Sequence, residues 1–184
     1  MERTLGAGRE WATPAAAESE LTADQESFGA FYARTRDPLY RTLLVTTRSP
    51  ELAEDAVHEA FARAFADWER VSAHPNPTAW LARVAINQAR SWWRRRRRER
   101  PDPPDRPATA DERPVDAALV RMVWELPPRQ RQVVALRILL DQSTDVTGRL
   151  LGIAPGTVTA HLHRALGTLR SRLVEAGMEE LNNA

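Results

Sequence analysis

The chain has 184 residues, of which 42% are hydrophobic and 28% charged, a balance typical of a chain that can bury a core. It contains no cysteine, which excludes disulfides, thiolate metal sites and cysteine nucleophiles. It also has no run of 18 apolar residues and no signal-peptide pattern, so we expect a cytoplasmic protein with no membrane span. The formal net charge is only +1, so any affinity for nucleic acid must come from an uneven placement of charge.

Residues 1–23 show no sustained hydrophobic period and are predicted to form a flexible leader. The apolar spacing after them predicts a helix over residues 24–47. Pro38 lies inside this segment and is expected to cause a break or a kink, because proline lacks the backbone donor that a helix needs.

Two more helices are predicted from matching start signals. Ser49 can act as an N-cap with Pro50 at the first helical position, and apolar residues then recur every four residues over 52–64. The pair Asn76 and Pro77 repeats this signal at the start of the next helix. Both segments place apolar residues along one side, which is typical of helices packed on a common core.

The third helix leads into a concentration of arginine. Segment 83–100 carries eight arginines and a single acid, Glu99, which gives a local charge of +7. Trp92 and Trp93 precede the five consecutive arginines 94–98, and neighbours about 100° apart on a helix cannot both face the core. Aromatic rings beside dense positive charge are suited to binding single-stranded nucleic acid, with a solvated helix end as the alternative.

Residues 101–115 are predicted to form a linker, because the stretch is rich in proline and contains few apolar residues. A short amphipathic helix is predicted to start near Val115 and to be stopped by Pro127 and Pro128, and another is predicted over about 129–140.

The last part of the chain has the layout of a helix-turn-helix. Ser143 can cap a helix that ends near Leu151, Gly152 suits a tight turn, and Pro155 can open a longer helix that Gly177 can close. In this motif the second helix enters the major groove with its N-terminal side chains on base edges. The side chains in that position are Thr157, Thr159, Ala160, His161 and Arg164, with Arg170 and Arg172 further along toward phosphates.

No run of alternating apolar residues demands a strand, so we predict an all-α chain of two small helical domains. The inventory for catalysis is poor. His161 and His163 are two residues apart on a predicted helix and cannot share a metal, no glycine-rich phosphate loop occurs, and the carboxylates lie on helix faces or in the linker. We therefore expect no catalytic, cofactor or metal site, and not an enzyme.

Three stretches, taken in chain order, resemble the extracytoplasmic-function (ECF) sigma factors of bacterial RNA polymerase. The core-binding helix of that family is similar to ELAEDAVHEAFARAF, and the helix that recognises and melts the −10 element is similar to PTAWLARVAINQARSWWRRRRR. The −35-reading domain is similar to LPPRQRQVVALRILL…LLGIAPGTVTAHLHRALGTLR. The string ARSWWRRR is especially similar to an actinobacterial subgroup called Sigma-E-like.

The resemblance implies a sigma factor, which binds core RNA polymerase, directs initiation at promoters with −35 and −10 elements, and helps to melt the DNA. It implies five segments: a leader over 1–23, the region 2 helical bundle over 24–100, a linker over 101–115, the region 4 helix-turn-helix over 116–176 and a tail over 177–184. Expected partners are core polymerase, promoter DNA and, as for many relatives, an anti-sigma factor, with no membrane.

The resemblance also implies contact residues. Those on the second helix that would meet the clamp coiled coil of the largest polymerase subunit are Asp55, His58 and Glu59, with His58 standing where the family usually has Gln. Those that would contact −10 DNA are Asn87, Arg90, Ser91, Arg94, Arg95, Arg96 and Arg97. The segment 69–77 is expected to be the loop that captures a flipped base. The apolar residues Val133, Leu136 and Leu140 would bind the flap of the second-largest subunit.

The −35 domain departs from the family pattern. Ala154 and Pro155 replace a side-chain cap worth about 1 kcal/mol, and Gly148 costs about 1 kcal/mol of helix propensity relative to alanine. Where relatives often carry a cation early in the recognition helix, this chain has Thr159 and His161. We therefore expect −35 recognition to be loose or tuned to an unusual sequence.

Two other classes of function compete with this interpretation. A stand-alone helix-turn-helix regulator would explain residues 116–176 but would leave the tryptophan-arginine helix without a role. A helical protein that binds membrane surfaces or partners through its basic run would bind liposomes without residues 116–184.

Overall fold

The computed structural model describes residues 27–99 and 114–175, with side chains for 27–95 and 118–175. The predicted leader, most of the linker and the predicted tail lie outside the described residues. Within them the chain is helical and contains no strand, which confirms the all-α prediction. The helices are α1 Phe28–Thr47, α2 Pro50–Ala66, α3 Trp68–Ser72, α4 Pro77–Glu99, α5 Pro114–Trp124, α6 Pro128–Val134, α7 Thr144–Leu151 and α8 Pro155–Glu175, with a π-helical turn Ala135–Leu139 between α6 and α7.

The start signals of α2 and α4 act as predicted. The Ser49 hydroxyl accepts a hydrogen bond from the backbone N–H of Leu52 at 3.3 Å. The side-chain oxygen of Asn76 accepts one from the N–H of Ala79 at 2.8 Å. Each bond satisfies a donor that the first turn of a helix would otherwise leave without a partner.

Several features differ from the sequence predictions, and one of them is that α5 begins at Pro114, inside the predicted linker 101–115. The first helix begins at Phe28 rather than at residue 24, because Ser27 is extended and its hydroxyl caps the helix. Pro38 lies inside a continuous α1, since buried residues on both sides of it, such as Thr35 and Leu39, hold the helix in the core. The expected loop 69–77 is helical in its first part, where α3 ends at Ser72.

We call residues 27–99 the N-terminal unit. Its core lies between α1, α2 and α4, which pack against each other. The small residues of α2, such as Ala53, Ala56 and Ala60, are fully buried, so these helices can approach closely. An aromatic cluster closes one end, where Phe28 and Phe31 pack against Phe61 and Trp68.

We call residues 114–175 the C-terminal unit. In it α8 packs along α6, α7 and α5, and a small apolar cluster of Leu126, Val134 and Ala165 lies between these helices. The helix predicted over 129–140 changes character at Ala135, where the π-helical turn begins. Such turns insert one extra residue and are frequent at functional positions.

The two units share one core, which the sequence did not predict. Helix α1 packs against α5, α6 and the π-helical turn, and α4 touches α7. Buried residues of the C-terminal unit, among them Trp124 and Leu136, belong to the same apolar cluster as α1, α2 and α4. Three hydrogen bonds join the units: Thr42 Oγ1 to Ala135 O at 3.3 Å, Trp124 Nε1 to Leu44 O at 3.4 Å, and Asn76 Nδ2 to Gln142 Oε1 at 3.1 Å.

Candidate nucleic-acid and polymerase interfaces

One face of α4 is polar, cationic and exposed. Arg83, Asn87, Arg90 and Arg94 follow each other at helical spacings of four, three and four residues, and all four side chains are exposed. Opposite them, Leu81, Ala85 and Ala89 are buried in the core of the N-terminal unit. The apolar face therefore fixes the direction in which the cationic face points. Arg83 belongs to this row but was not predicted as a site residue, although its spacing of four from Asn87 was readable from the sequence.

Two other predicted −10 residues flank this row. Ser91 is half-buried and Arg95 is exposed, one helical turn apart on α4. Arg96 and Arg97 lie where the helix backbone continues to Glu99, but their side chains are outside the described residues, so their roles stay predictions.

The adjacent tryptophans face different directions, as predicted. Trp92 is half-buried and packs against the core, whereas the Trp93 side chain is 43% exposed. An indole that is partly exposed beside the exposed Arg90 and Arg94 is chemically suited to stack on an unpaired base while cations hold the neighbouring phosphates.

A shallow groove of about 470 Å³ lies between α2 and α4. It is lined by Asp55, His58, Glu59, Ala62 and Trp92. The three polar residues of α2 share one face because they are spaced three and four residues apart. The structure thus brings together the three residues that the resemblance implied for the clamp and adds Trp92, which the sequence pattern placed beside the arginine run as an aromatic suited to single-stranded nucleic acid.

The charges around this groove are accessible to solvent. Asp55 and His58 are exposed, and Glu59 is half-buried. Glu59 forms an ion pair with Arg63 one turn later, with 2.7 Å between Oε1 and Nε. Because both partners are partly exposed, this pair adds little stability and can be exchanged for a cation on another protein.

The helix-turn-helix forms through α7, the turn at Gly152 and α8. The Ser143 hydroxyl accepts from the N–H of Val146 at 3.2 Å, which confirms the predicted cap of α7. Gly152 adopts φ 67°, a left-handed conformation that glycine tolerates best. Gly148 is explained as well, since a Cβ at that position would lie 2.8 Å from the carbonyl oxygen of Ile153. The close approach of the turn therefore explains why glycine stands at this position, and its low helix propensity does not indicate that α7 is weak.

The N-terminal half of α8 presents the predicted −35 residues to different extents. Thr157, Thr159 and Arg164 are exposed, while Ala160 and His161 are half-buried. The Thr159 hydroxyl donates to the carbonyl of its own helix at 3.3 Å. The Nδ1 atom of His161 is buried and has no hydrogen-bond partner among the described residues, so only its Nε2 remains for an external contact.

The structure corrects the prediction for Arg172. Its guanidinium donates to the carbonyl of Met122 at 3.2 Å and pairs with the Glu125 carboxylate at 2.7 Å, so it joins α8 to α5 instead of extending toward phosphates. Arg170 is exposed, and its contact with phosphates stays a prediction.

The apolar set predicted for the polymerase flap is buried in this structure. Val133, Leu136 and Leu140 are only 0%, 1% and 5% exposed and belong to the shared core. In the arrangement described, this face of the C-terminal unit is covered and no partner can reach it.

Two further findings concern the described ranges 27–99 and 114–175. No group of three or more His, Asp or Glu side chains there is arranged to hold a metal ion. None of the helices there is long and apolar enough to cross a membrane.

Two protein-family models match this chain, one in each unit. The family model for sigma-70 region 2 matches residues 31–99, and the model for sigma-70 region 4 matches residues 116–169. The chain is 38% identical over 156 residues to the RNA polymerase sigma-E factor of Streptomyces coelicolor, an alignment that covers 80% of this chain and 87% of that protein. The chain belongs to the sigma-70 family. It is an ECF sigma factor that directs transcription, as the resemblance implied.

Other relatives agree with this assignment. The sigma factor is 38% identical over 146 residues to the RNA polymerase sigma-E factor of Streptomyces antibioticus, covering 76% of this chain and 81% of the relative. It is 26% identical to the ECF sigma factor SigW of Bacillus subtilis, with 82% and 90% covered. Two Streptomyces proteins named sigma-E factor thus support the predicted subgroup.

A solved structure shares the fold. The sigma factor RpoE in the complex with the anti-sigma factor NepR from Bartonella quintana aligns with a TM-score of 0.64 at 22% identity, covering 79% of this chain and 96% of that one. At this identity the likeness supports the fold alone. Both matched families describe regions of a transcription initiation subunit, and neither is a catalytic family.

Proposed function

We propose that this sigma factor binds the clamp coiled coil of core polymerase through the α2 face of Asp55, His58 and Glu59, and −10 DNA through the exposed face of α4. The observation that carries the proposal is that these two sets lie on different helices of one unit. A protein partner in the α2–α4 groove and a DNA strand on α4 can therefore be held at the same time.

The groove is suited to a cationic helix. Two carboxylates and an imidazole on one helical face offer hydrogen-bond acceptors to arginine or lysine, and Trp92 adds an apolar wall. Charge-assisted hydrogen bonds are worth about 1.5–3 kcal/mol each, which is enough for two of them to dominate an interface of modest size.

On α4 the guanidinium groups can supply the phosphate contacts that stabilise separated DNA strands. Extruding a base from a duplex costs a few kcal/mol, so a melted promoter must gain contacts to phosphates and to the unstacked base. Arg90, Arg94 and Arg95 can hold phosphates, Trp93 can stack on a base, and Asn87 and Ser91 can donate and accept hydrogen bonds at base edges. The prediction for Arg96 and Arg97 rests on the sequence alone.

The −35 element is proposed to be read by Thr157, Thr159, Ala160, His161 and Arg164 at the start of α8. Only Arg164 in this set is a permanent cation, so we expect a small salt dependence from this domain and a correspondingly weak grip on DNA. We further propose that the factor acts in the cytoplasm as a binding subunit without catalysis of its own.

Core binding is tested by a double substitution on α2. Asp55→Asn with Glu59→Gln is expected to weaken the affinity for core polymerase at least tenfold, since the loss of charge-assisted bonds exceeds about 1.4 kcal/mol. The matched control, Glu51→Gln with Glu54→Gln, removes the same charge from exposed positions of the same helix and should leave the affinity unchanged. Equal effects in the two variants would show that the surface is wrongly assigned.

Promoter opening is tested on α4. Arg94→Ala with Arg95→Ala should reduce promoter opening, which is measured by the chemical reactivity of unpaired thymines. The slope of the logarithm of the DNA-binding constant against the logarithm of salt concentration should fall in magnitude by about 1.4, while core binding is retained. The control Arg41→Ala with Arg70→Ala removes two exposed cations from α1 and α3 of the same unit. A parallel loss of core binding in the α4 variant would contradict the separation of the two surfaces. The full replacement of arginines 94–98 by alanine should abolish opening.

A further inference from the structure

The segment between α3 and α4 is a tight turn that two prolines restrict. Pro75 and Pro77 have no backbone N–H, so Asn76, which lies between them, carries the backbone donor of this stretch. That N–H donates to Nδ1 of the His74 imidazole at 3.0 Å. The backbone N–H of His74 donates to the Val71 carbonyl at 3.1 Å, which ties the turn to the end of α3. The imidazole therefore supplies the acceptor that closes the turn.

The bond between His74 and Asn76 has the pattern of an Asx turn, in which a side chain accepts from the backbone N–H two residues later. Asparagine and aspartate form this turn through Oδ1, and His74 forms it through its ring nitrogen at the δ position. Nδ1 can accept only when it carries no proton, so the ring in this turn is neutral and has its proton on Nε2. Histidine is the side chain that ordinarily changes charge between about pH 5 and 8, which an amide or a carboxylate does not.

The turn sets the start of the helix proposed to hold −10 DNA. Asn76 caps α4, since its Oδ1 accepts from the N–H of Ala79 at 2.8 Å and its carbonyl from the N–H of Trp80 at 3.1 Å. Because His74 holds the N–H of the same residue, one side chain orients the residue on which the first turn of α4 depends. Residues 73–76 are also the non-helical part of the segment expected to capture a flipped base.

Solvent has direct access to the imidazole. His74 and both of its neighbours in the chain, Ala73 and Pro75, are exposed. The charged residues closest to the turn in sequence on α3 and α4, and beside its contact Gln142 on the C-terminal unit, are Glu69, Arg70, Arg83 and Asp141. Arg70 is already paired with Asp67 at 2.6 Å. The charge of the ring can therefore follow the pH of the solution.

We propose that His74 is a positioning residue for promoter opening, and that its hydrogen bond to Asn76 makes opening sensitive to protons. A protonated imidazole has N–H groups at both nitrogens and no acceptor, so protonation and this bond exclude each other. When the ring takes up a proton, the turn loses its closing bond and the residue that caps α4 loses its fixed orientation. The proposal rests on the proposed function for the role of α4 in holding −10 DNA.

Two substitutions at this position separate the hydrogen bond from the proton. His74→Asn keeps an acceptor that does not titrate, because its Oδ1 can accept from the Asn76 N–H, and an asparagine before a proline favours the start of a turn. His74→Ala removes the acceptor at every pH. The loss of one neutral hydrogen bond corresponds to a change of about threefold to tenfold in an equilibrium constant.

The test compares holoenzymes of the wild type and the two variants at about pH 7.5 and about pH 5.5, which span the ordinary titration of histidine. The template is a promoter that the wild-type holoenzyme opens, selected from genomic fragments, and the equilibrium constant for opening is measured by the reactivity of unpaired thymines. At the higher pH, His74→Asn should equal wild type and His74→Ala should be worse by about threefold to tenfold. At the lower pH, His74→Asn should exceed wild type by this factor and His74→Ala should equal it.

Ratios to wild type at each pH cancel the responses of the other histidines and of the polymerase. The matched control is His163→Asn, which makes the same replacement at another exposed histidine and should keep the wild-type pH profile. Circular dichroism checks that the variants fold. A ratio of His74→Asn to wild type that does not change with pH, or a His74→Ala protein equal to wild type at the higher pH, would overturn the proposal.

The hydrogen bond is measured independently of polymerase by nitrogen NMR of the free full-length protein. At the higher pH the His74 ring should show an unprotonated Nδ1 and a protonated Nε2, and the amide proton of Asn76 should shift as the ring takes up a second proton. The opposite tautomer, or an Asn76 amide that does not respond, would refute the turn. If the wild-type holoenzyme opens no promoter, the proposed function fails, and the NMR spectra then decide whether the proton-sensitive turn exists.

Discussion

Replacing Gly148 by alanine distinguishes helix propensity from packing in the helix-turn-helix. An alanine in a helix interior is favoured over glycine by about 0.8–1 kcal/mol, so propensity alone predicts that the substitution stabilises α7. The structure predicts the opposite sign. The new Cβ would lie 2.8 Å from the carbonyl oxygen of Ile153, and the N–H of Ile153 is in turn bonded to the Gly148 carbonyl at 3.0 Å. The turn therefore cannot move away without losing a hydrogen bond.

The magnitude follows from a comparison with a second glycine. Overpacking of this kind costs about 1–3 kcal/mol, which outweighs the gain in propensity and leaves Gly148→Ala destabilised by about 1 kcal/mol. Gly167 lies inside α8, and a Cβ added there would meet nothing within 4 Å, so Gly167→Ala should be stabilised by up to about 1 kcal/mol. Because propensity contributes equally to both variants, the difference between them, about 2 kcal/mol, measures the steric cost alone.

Urea unfolding followed by circular dichroism measures this difference. With an m value of about 2 kcal/mol/M, the midpoints of the two variants should differ by about 1 M. Gly148→Ala should also weaken binding to −35 DNA, since the turn sets the angle of α8. If both alanines stabilise the protein to a similar extent, the Ile153 carbonyl does not approach Gly148 as described.

Other substitutions test separate features of the structure. Ser143→Ala should destabilise the C-terminal unit by about 1 kcal/mol through loss of the α7 cap, as measured by thermal melting. Trp92→Ala should lower the free energy of unfolding by about 2 kcal/mol, because the ring packs on the core. Trp93→Ala should change it by less than about 1 kcal/mol and should reduce promoter opening. A larger loss of stability in the Trp93 variant would count against this assignment. A double-mutant cycle of Arg172→Gln and Glu125→Gln should give a coupling of at most about 1 kcal/mol, since the pair is partly exposed, and a coupling well above that value would show that the pair is more buried than described.

Local signals in the sequence predicted helix starts well. The caps at Ser49, Asn76 and Ser143 and the turn at Gly152 each depend on residues within a few positions of one another, so a short stretch contains all the information. The resemblance, not the spacing, singled out the candidate clamp set on α2, and local spacing only explains why that set and the cationic residues of α4 each lie on one helix face. In a helix, residues spaced three or four positions apart lie on the same face, whatever the rest of the chain does.

Features that depend on distant residues were not predictable in this way. Pro38 was expected to break or kink the first helix, and the helix is continuous because tertiary packing holds the residues on both sides of it. The reason for Gly148 lies in the carbonyl of Ile153, which comes close only after the turn has folded. The hydrogen bond between Thr42 and Ala135 joins residues 93 positions apart, and no periodicity in either segment points to the other.

The position of Trp92 connects the two proposed activities of the N-terminal unit. Its ring forms one wall of the α2–α4 groove, and it lies on α4 between Arg90 and Arg94, whose side chains are exposed on the face proposed for DNA. The buried face of α4 already fixes the direction of the arginines, and a polymerase helix seated in the groove would contact Trp92 and hold the start of the arginine run more rigidly. Such added rigidity would lower the entropy lost when the DNA strands are held. We therefore expect the affinity of this sigma factor for promoter DNA to rise once it has bound the enzyme.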